Sequence, residues 1–250
     1  MKDYPKSILK NMQSFLNEKR FKYAKSTVNM GQRFLLFLTK PFLLFFLHFT
    51  VQGKENIENL ENGIIFASNH ASDFDGEFIF NALGLFSKRI PLYYVSREES
   101  FYKKDLFQII FYTRFVLHTF AGAYPALFGV RDYEKSLAFH INLLKEKRNV
   151  VIFVEGSKSH DGNLLSAKGG VVALVKCSNA PIVPIAIHGN FKIGLKDFLL
   201  RRRTVSVSFG KPIFFDELFI EYGTEDIRQY AKIANEKIMT KIEELFQTHM

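Results

Sequence analysis

The 250-residue sequence predicts an α/β fold: a single mixed, largely parallel sheet with helices on both faces, preceded by an N-terminal apolar two-helix membrane-docking segment. Three observations predict it. From about Gly53 onward, short apolar runs alternate with stretches of helical period, and strands separated by helices imply a sheet covered on both faces. The hydrophobic share of 47% supplies a sizeable core for one domain of this length. Before Gly53 the pattern differs, with a basic stretch followed by a Phe-rich apolar run. The boundaries read as 1–52 for the basic and apolar membrane-association segment and 53–250 for the α/β domain.

Met1–Arg33 carries eight Lys and Arg against Asp3 and Glu18. Phe34–Val51 is very apolar but interrupted by Lys40, Pro41 and His48. A spanning helix needs about 20 mostly apolar residues; this run is slightly short, and Pro at its centre kinks or ends a helix. Two short apolar helices dipping into one leaflet, with the basic flank on anionic head groups, fit these features. A buried helix pair and a single span are the alternatives. In the domain, Ile64–Ser68 reads as a buried strand and Asp75–Phe86 as a helix. Pro91–Ser96 is a second strand, Lys104–His118 a Phe-rich helix and Gly122–Pro125 a turn. Asp132–Lys147 is a helix with Leu137, Ile141 and Leu144 on one face. Asn149–Val154 is a strand and Lys168–Ser178 a helix. Ile182–Ile187 is a strand whose Pro184 implies an edge, a bulge or a bend. Thr204–Phe209 is a strand, and Thr224–His249 a long amphipathic helix capped by Thr224.

The net charge of +9 suits nucleic acid, an anionic membrane or a phosphorylated substrate. No nucleic-acid module surrounds the Arg201–Arg203 cluster, so nucleic acid is not expected as a partner. One cysteine, Cys177, excludes a disulfide framework and a Cys-rich zinc site. None of the seven histidines is spaced from another His or Cys as metal ligands are, so no metal is expected. Phosphate-loop, dinucleotide and nucleophile-elbow motifs are absent from the sequence.

Chemistry-bearing residues gather at strand ends, where open α/β sheets bind ligands. After Ile64–Ser68 come Asn69, His70 and, five residues beyond the histidine, Asp75. A short turn brings that carboxylate to the imidazole, fixing its tautomer and making His70 a general base. A surface histidine beside a helix cap fits too, because Ser72 and Asp75 form an S-x-x-D capping pattern. After Asn149–Val154 come Glu155, Gly156, Ser157 and Lys158. Gly156 permits a tight turn, and Ser157, Lys158 and nearby N–H groups suit a phosphate. Arg131 either binds phosphate or pairs with Asp132 or Glu134.

Taken together these motifs resemble the glycerolipid acyltransferases, whose best-known members are the 1-acylglycerol-3-phosphate acyltransferases. The family's Asn-His-x4-Asp motif is complete as Asn69, His70 and Asp75, with Ser72 at the usual Ser position. Its Phe-Pro-Glu-Gly-Thr/Ser-Arg-Ser motif reads FVEGSKS here, with Val154 for Pro and Lys158 for Arg. Lys168-Gly169 and VPIAI resemble two further motifs; Gly122 is present, but Arg131 sits farther from it than the family pattern expects. The resemblance covers roughly Gly53 to Pro212. It implies direct transfer of a fatty acyl group from acyl-CoA or acyl carrier protein, a co-substrate rather than a resident cofactor, to a lysophospholipid hydroxyl. His70, oriented by Asp75, would be the base. Asn69, Arg131, Glu155, Gly156, Ser157 and Lys158 would hold the acceptor. The implied setting is the cytoplasmic face of a lipid bilayer. An ammonium cannot copy a bidentate guanidinium, so Lys158 leaves open an acceptor other than lysophosphatidic acid: glycerol-3-phosphate, another lysolipid or an amino-acid lipid. An esterase using Ser68 or Ser72, and a non-catalytic lipid-binding module, are the rivals.

Overall fold

In a computed structural model, residues 18–97, 120–127, 132–193, 196–197, 200–201, 203–219 and 227–248 are described. The expected helix Lys104–His118 and Arg131 lie outside them. Seven strands form one sheet: β1 His48–Gln52, β2 Ile65–Ser68, β3 Leu92–Ser96, β4 Ala123–Pro125, β5 Asn149–Phe153, β6 Ile182–His188 and β7 Thr204–Phe209. Their order is β1-β7-β6-β2-β5-β3-β4. Every pairing is parallel except β6 with β7, which is antiparallel. The helices are α1 Glu18–Phe46, α2 Glu55–Glu58, α3 Asp75–Leu83, α4 Tyr133–Ser136, α5 Ala138–Lys145, α6 Gly170–Ser178, α7 Phe215–Phe219 and α8 Ile227–Gln247.

Alternate residues of the central strands feed two cores, because successive side chains point to opposite faces. Phe66, Val151 and Val183 pack with Leu36, Leu43, Phe78 and Ile79 of α1 and α3. Ile65, Ala67, Val150 and Ile152 pack with Leu143 of α5, Val171 and Leu174 of α6, and Ile238 of α8. The sheet is therefore covered on both sides, as the sequence predicts.

Three elements differ from expectation. The two N-terminal helices are one: α1 runs unbroken for 29 residues with Pro41 inside it. Proline removes one hydrogen bond to the carbonyl four residues earlier. Here that carbonyl belongs to Phe37, and both residues are exposed, so the freed carbonyl belongs to the outer side of the helix rather than to the core. The apolar run then ends in a strand, β1, which lies at the sheet edge in parallel register with β7. Among the described residues no helix is long and apolar enough to cross a membrane. Strand β6 is interior although it holds Pro184. The Pro184 carbonyl accepts from Gly210 N at 2.8 Å, so this residue faces β7. The β6–β7 ladder begins only at Ile185–Phe209, so the missing N–H falls at the ladder's end. The segment 132–147 divides at Leu137 into α4 and α5, with Asp132 capping α4 through Glu134 N and Lys135 N.

A half-buried polar link joins α1 to α3. Thr39 Oγ1 donates to Glu77 Oε1, and Asn81 Nδ2 donates to the same oxygen at 2.7 Å. Burial pushes the Glu77 pKa up from 4.5, opposed by these two donors. A group whose folded pKa is raised contributes stability at low pH that is lost as pH climbs through the folded value. Glu77→Gln is therefore expected to flatten part of the pH dependence. Urea midpoints of wild type should fall relative to the variant as pH rises above 4.5; parallel curves would show that the carboxyl has the same pKa folded and unfolded.

Candidate active site

Strands β6, β2 and β5 are neighbours and run parallel. The residues after their carboxyl ends therefore meet above the middle of the sheet: Asn190 after β6, His70 and Asp75 after β2, Glu155 after β5. His70 Nδ1 lies 2.8 Å from Asp75 Oδ2. Carboxylate oxygens accept, so Nδ1 carries the hydrogen and Nε2 is left as the basic nitrogen. The imidazole stacks on Phe153, with ring centroids 4.1 Å apart and planes 15° apart. Its side chain is 21% exposed, whereas Asp75 is fully buried.

Asp75 Oδ2 also accepts from Ala71 N at 2.7 Å and Ser72 N at 2.9 Å. The capping pattern and the catalytic pair are thus the same carboxylate seen from two sides. Ser72 Oγ accepts from Phe74 N at 3.1 Å. Ser68, fully buried, donates to the Asn69 carbonyl. Both hydroxyls are engaged locally, which does not suit the serine-esterase alternative. His140 is not a second base of this kind: it is buried in the interior, and burial pulls its pKa down to about 4.

Glu155 is 1% exposed. Its Oε1 accepts from His70 N at 2.9 Å and its Oε2 from Leu165 N at 3.1 Å. Burial pushes its pKa up, and the two backbone donors oppose this. Glu155 therefore clamps the histidine loop to the 163–168 segment, and both its oxygens have main-chain partners. Asn69 is similarly structural. Its Nδ2 donates to Ile187 O at 3.0 Å and its Oδ1 accepts from Ile187 N at 2.8 Å, a side chain continuing the β2–β6 ladder by one rung.

Gly156 turns the chain at φ +68°, and a Cβ there would sit 3.0 Å from Lys168 Cγ. Its carbonyl accepts from Arg97 Nη2 at 2.9 Å. Lys158 Nζ donates to both oxygens of Asp73, at 2.8 and 2.9 Å, across a half-exposed pair. Ser157 follows Gly156 and is half-buried. The structure thus brings together His70, Asp75, Asn69, Glu155, Gly156, Ser157 and Lys158.

Sequence reasoning did not pick out Arg97, Asp73, Phe153 or Asn190 for the site. Arg97 and Asn190 both follow strand ends, and the strand-end rule applied to β3 and β6 would have found them.

Residues 48–188 match the family described as Acyltransferase. The 1-acyl-sn-glycerol-3-phosphate acyltransferases of Limnanthes douglasii and Limnanthes alba are each 25% identical to this chain over 188 residues. That match covers 74% of this chain and 60% of each relative, so the chain spans about three fifths of their length. The chloroplastic 1-acyl-sn-glycerol-3-phosphate acyltransferase BAT2 of Brassica napus is 25% identical over 166 residues, covering 66% of this chain and 44% of its own. Among solved structures, the 1-acyl-sn-glycerophosphate (LPA) acyltransferase PlsC from Thermotoga maritima shares the fold. Its TM-score is 0.53 at 22% identity, over 95% of this chain and 87% of that one.

Proposed function

The chain belongs to the glycerolipid acyltransferase family, and we propose that it moves a fatty acyl group from acyl-CoA or acyl carrier protein to the hydroxyl of 1-acylglycerol-3-phosphate, giving phosphatidic acid. The observation that carries this reading is the His70–Asp75 pair at the carboxyl end of the central strand β2, with Nδ1 tied to a buried carboxylate and Nε2 left basic.

Nε2 takes the proton of the acceptor hydroxyl as its oxygen attacks the thioester carbonyl. The carbon–oxygen ester bond forms and the carbon–sulfur bond breaks. The thiolate is a good leaving group at neutral pH, and the imidazolium returns its proton to it or to water. Asp75 stabilises the transient imidazolium. No acyl-enzyme is formed on this route.

Arg97 and Lys168 both lie against Gly156 and bring positive charge there for the acceptor phosphate. Lys158 is paired with Asp73, which favours a second reading of the acceptor: a lysolipid or amino-acid lipid without a terminal phosphate.

Helix α1 supports a bilayer setting. Met30, Phe34, Phe37, Leu38, Phe42, Leu44 and Phe45 are all exposed, and most recur at the three- and four-residue spacing of one helical face. A helix lying in the interface with this face in the acyl region would bring the site to its lipid substrates at the cytoplasmic face.

The test is thiol release from palmitoyl-CoA and from palmitoyl carrier protein, with and without each acceptor, in mixed micelles. Release that depends on lysophosphatidic acid supports the proposal. Release only with an acceptor lacking the phosphate selects the second reading. Silence across the panel overturns the transferase and leaves a lipid-binding role.

A further inference from the structure

We propose that Asn190 is a positioning residue of the catalytic pair, its amide fixing the Asp75 carboxylate so that Oδ2 stays on the imidazole. The proposal rests on the function given above and adds a member to its machinery. Asp75 is fully buried, so both its oxygens need donors from the protein. The local loop supplies three to Oδ2, from His70 Nδ1, Ala71 N and Ser72 N. Oδ1 accepts from Asn190 Nδ2 at 2.6 Å, from a residue that is itself 2% exposed.

Asn190 is built into that place. Gly189 before it holds φ +78°, and a Cβ there would fall 2.0 Å from the Thr204 carbonyl oxygen. Only glycine fits such a turn. Three residues earlier, Ile187 is locked to Asn69 through both amide atoms. The donor on Oδ1 is therefore carried by β6 and the donors on Oδ2 by the loop after β2.

The chemistry asks for this division. When Nε2 gains a proton, positive charge appears on the ring, and the carboxylate must keep facing Nδ1–H. A donor on Oδ1 opposes rotation about the Cβ–Cγ bond that would turn Oδ2 away. Asn190 makes and breaks no bond; it acts through Asp75.

The test compares wild type with Asn190→Leu, which keeps the branched shape and removes the donor, and with Asn190→Asp. The leucine variant is expected to lower kcat roughly 10–100-fold, the range for losing a group that orients a catalytic ligand. KM for thioester and acceptor should stay within about twofold, because the substrates lose no contact. In Asn190→Asp two carboxyls share one proton at low pH, and the introduced group then donates to Oδ1 as the amide did. As pH rises it loses that proton and repels Asp75. A falling limb in the pH profile, absent from wild type and from Asn190→Leu, is the expected signature.

Full kcat in Asn190→Leu, or a wild-type profile in Asn190→Asp, overturns the proposal. Should the leucine variant fail to fold, the pH limb of the aspartate variant decides. The Nδ1–H proton signal of His70 in nitrogen-15-labelled protein reads the same contact without turnover. If wild type transfers no acyl group, the function fails separately: loss of that signal in Asn190→Leu still supports the role of Asn190, and an unchanged signal overturns it.

Discussion

His70→Ala is expected to reduce acceptor-dependent thiol release by about 10²–10⁴-fold, the usual worth of a positioned general base. The fold should survive, because the ring is partly exposed and its main-chain partners remain: Glu155 Oε1 on His70 N, and Ser159 N on His70 O. Asp75→Asn should cost a comparable amount for a different reason. The carboxylate is surrounded by donors on both oxygens. An amide turns its NH₂ toward one of them. If it faces the imidazole, Nδ1 must accept and Nε2 becomes the N–H, so the base is lost to the wrong tautomer. If it faces Asn190, two donors meet. Steady-state thiol release with saturating donor and acceptor measures both variants, with far-ultraviolet circular dichroism to confirm folding. An alanine variant within tenfold of wild type would remove His70 from the chemistry, and a surviving rate in Asp75→Asn alone would reduce Asp75 to a loop cap.

The pair was legible because it is local. Five residues separate the imidazole from its carboxylate, a distance that one turn closes. The strands Ile65–Ser68, Asn149–Phe153 and Ile182–His188 were legible as apolar runs bounded by polar loops. Asn190 stands 115 residues from Asp75, and only the placing of β6 beside β2 joins them; no local pattern encodes strand order. Strand β1 was hidden because it continues an apolar helix without a turn signal, and an edge strand lacks the fully buried character that marks β2. Pro41 misled because a helix can run on through a proline on its outer side, and exposure at Phe37 and Pro41 is a tertiary fact. The main-chain bonds of Glu155, expected from the sequence as an acceptor ligand, were hidden for another reason. Its partners are main-chain N–H groups, which have no signature in the sequence, so a buried clamp and an acceptor ligand look alike there.

Glu155→Gln separates those two roles. The carboxylate accepts from His70 N on one oxygen and from Leu165 N on the other. Glutamine has one oxygen, so one of these buried N–H groups faces an NH₂ and loses its partner, at a cost of about 1–3 kcal/mol. The expected urea midpoint is correspondingly lower. Whichever bond fails, the segment carrying His70 loosens, and a displacement near 1 Å at a reacting group costs on the order of 10² in rate. The clamp therefore predicts a fall in kcat of roughly 10–100-fold with acceptor KM unchanged, because substrate binding energy is untouched. An acceptor ligand predicts the opposite split, with KM raised and kcat retained at saturation. Glu155→Ala adds a second unpaired N–H and a cavity, so its loss of stability should exceed that of glutamine while the KM–kcat pattern stays the same. If KM rises in both variants and the midpoint holds, Glu155 touches the acceptor, and the main-chain bonds seen here yield to substrate when it binds.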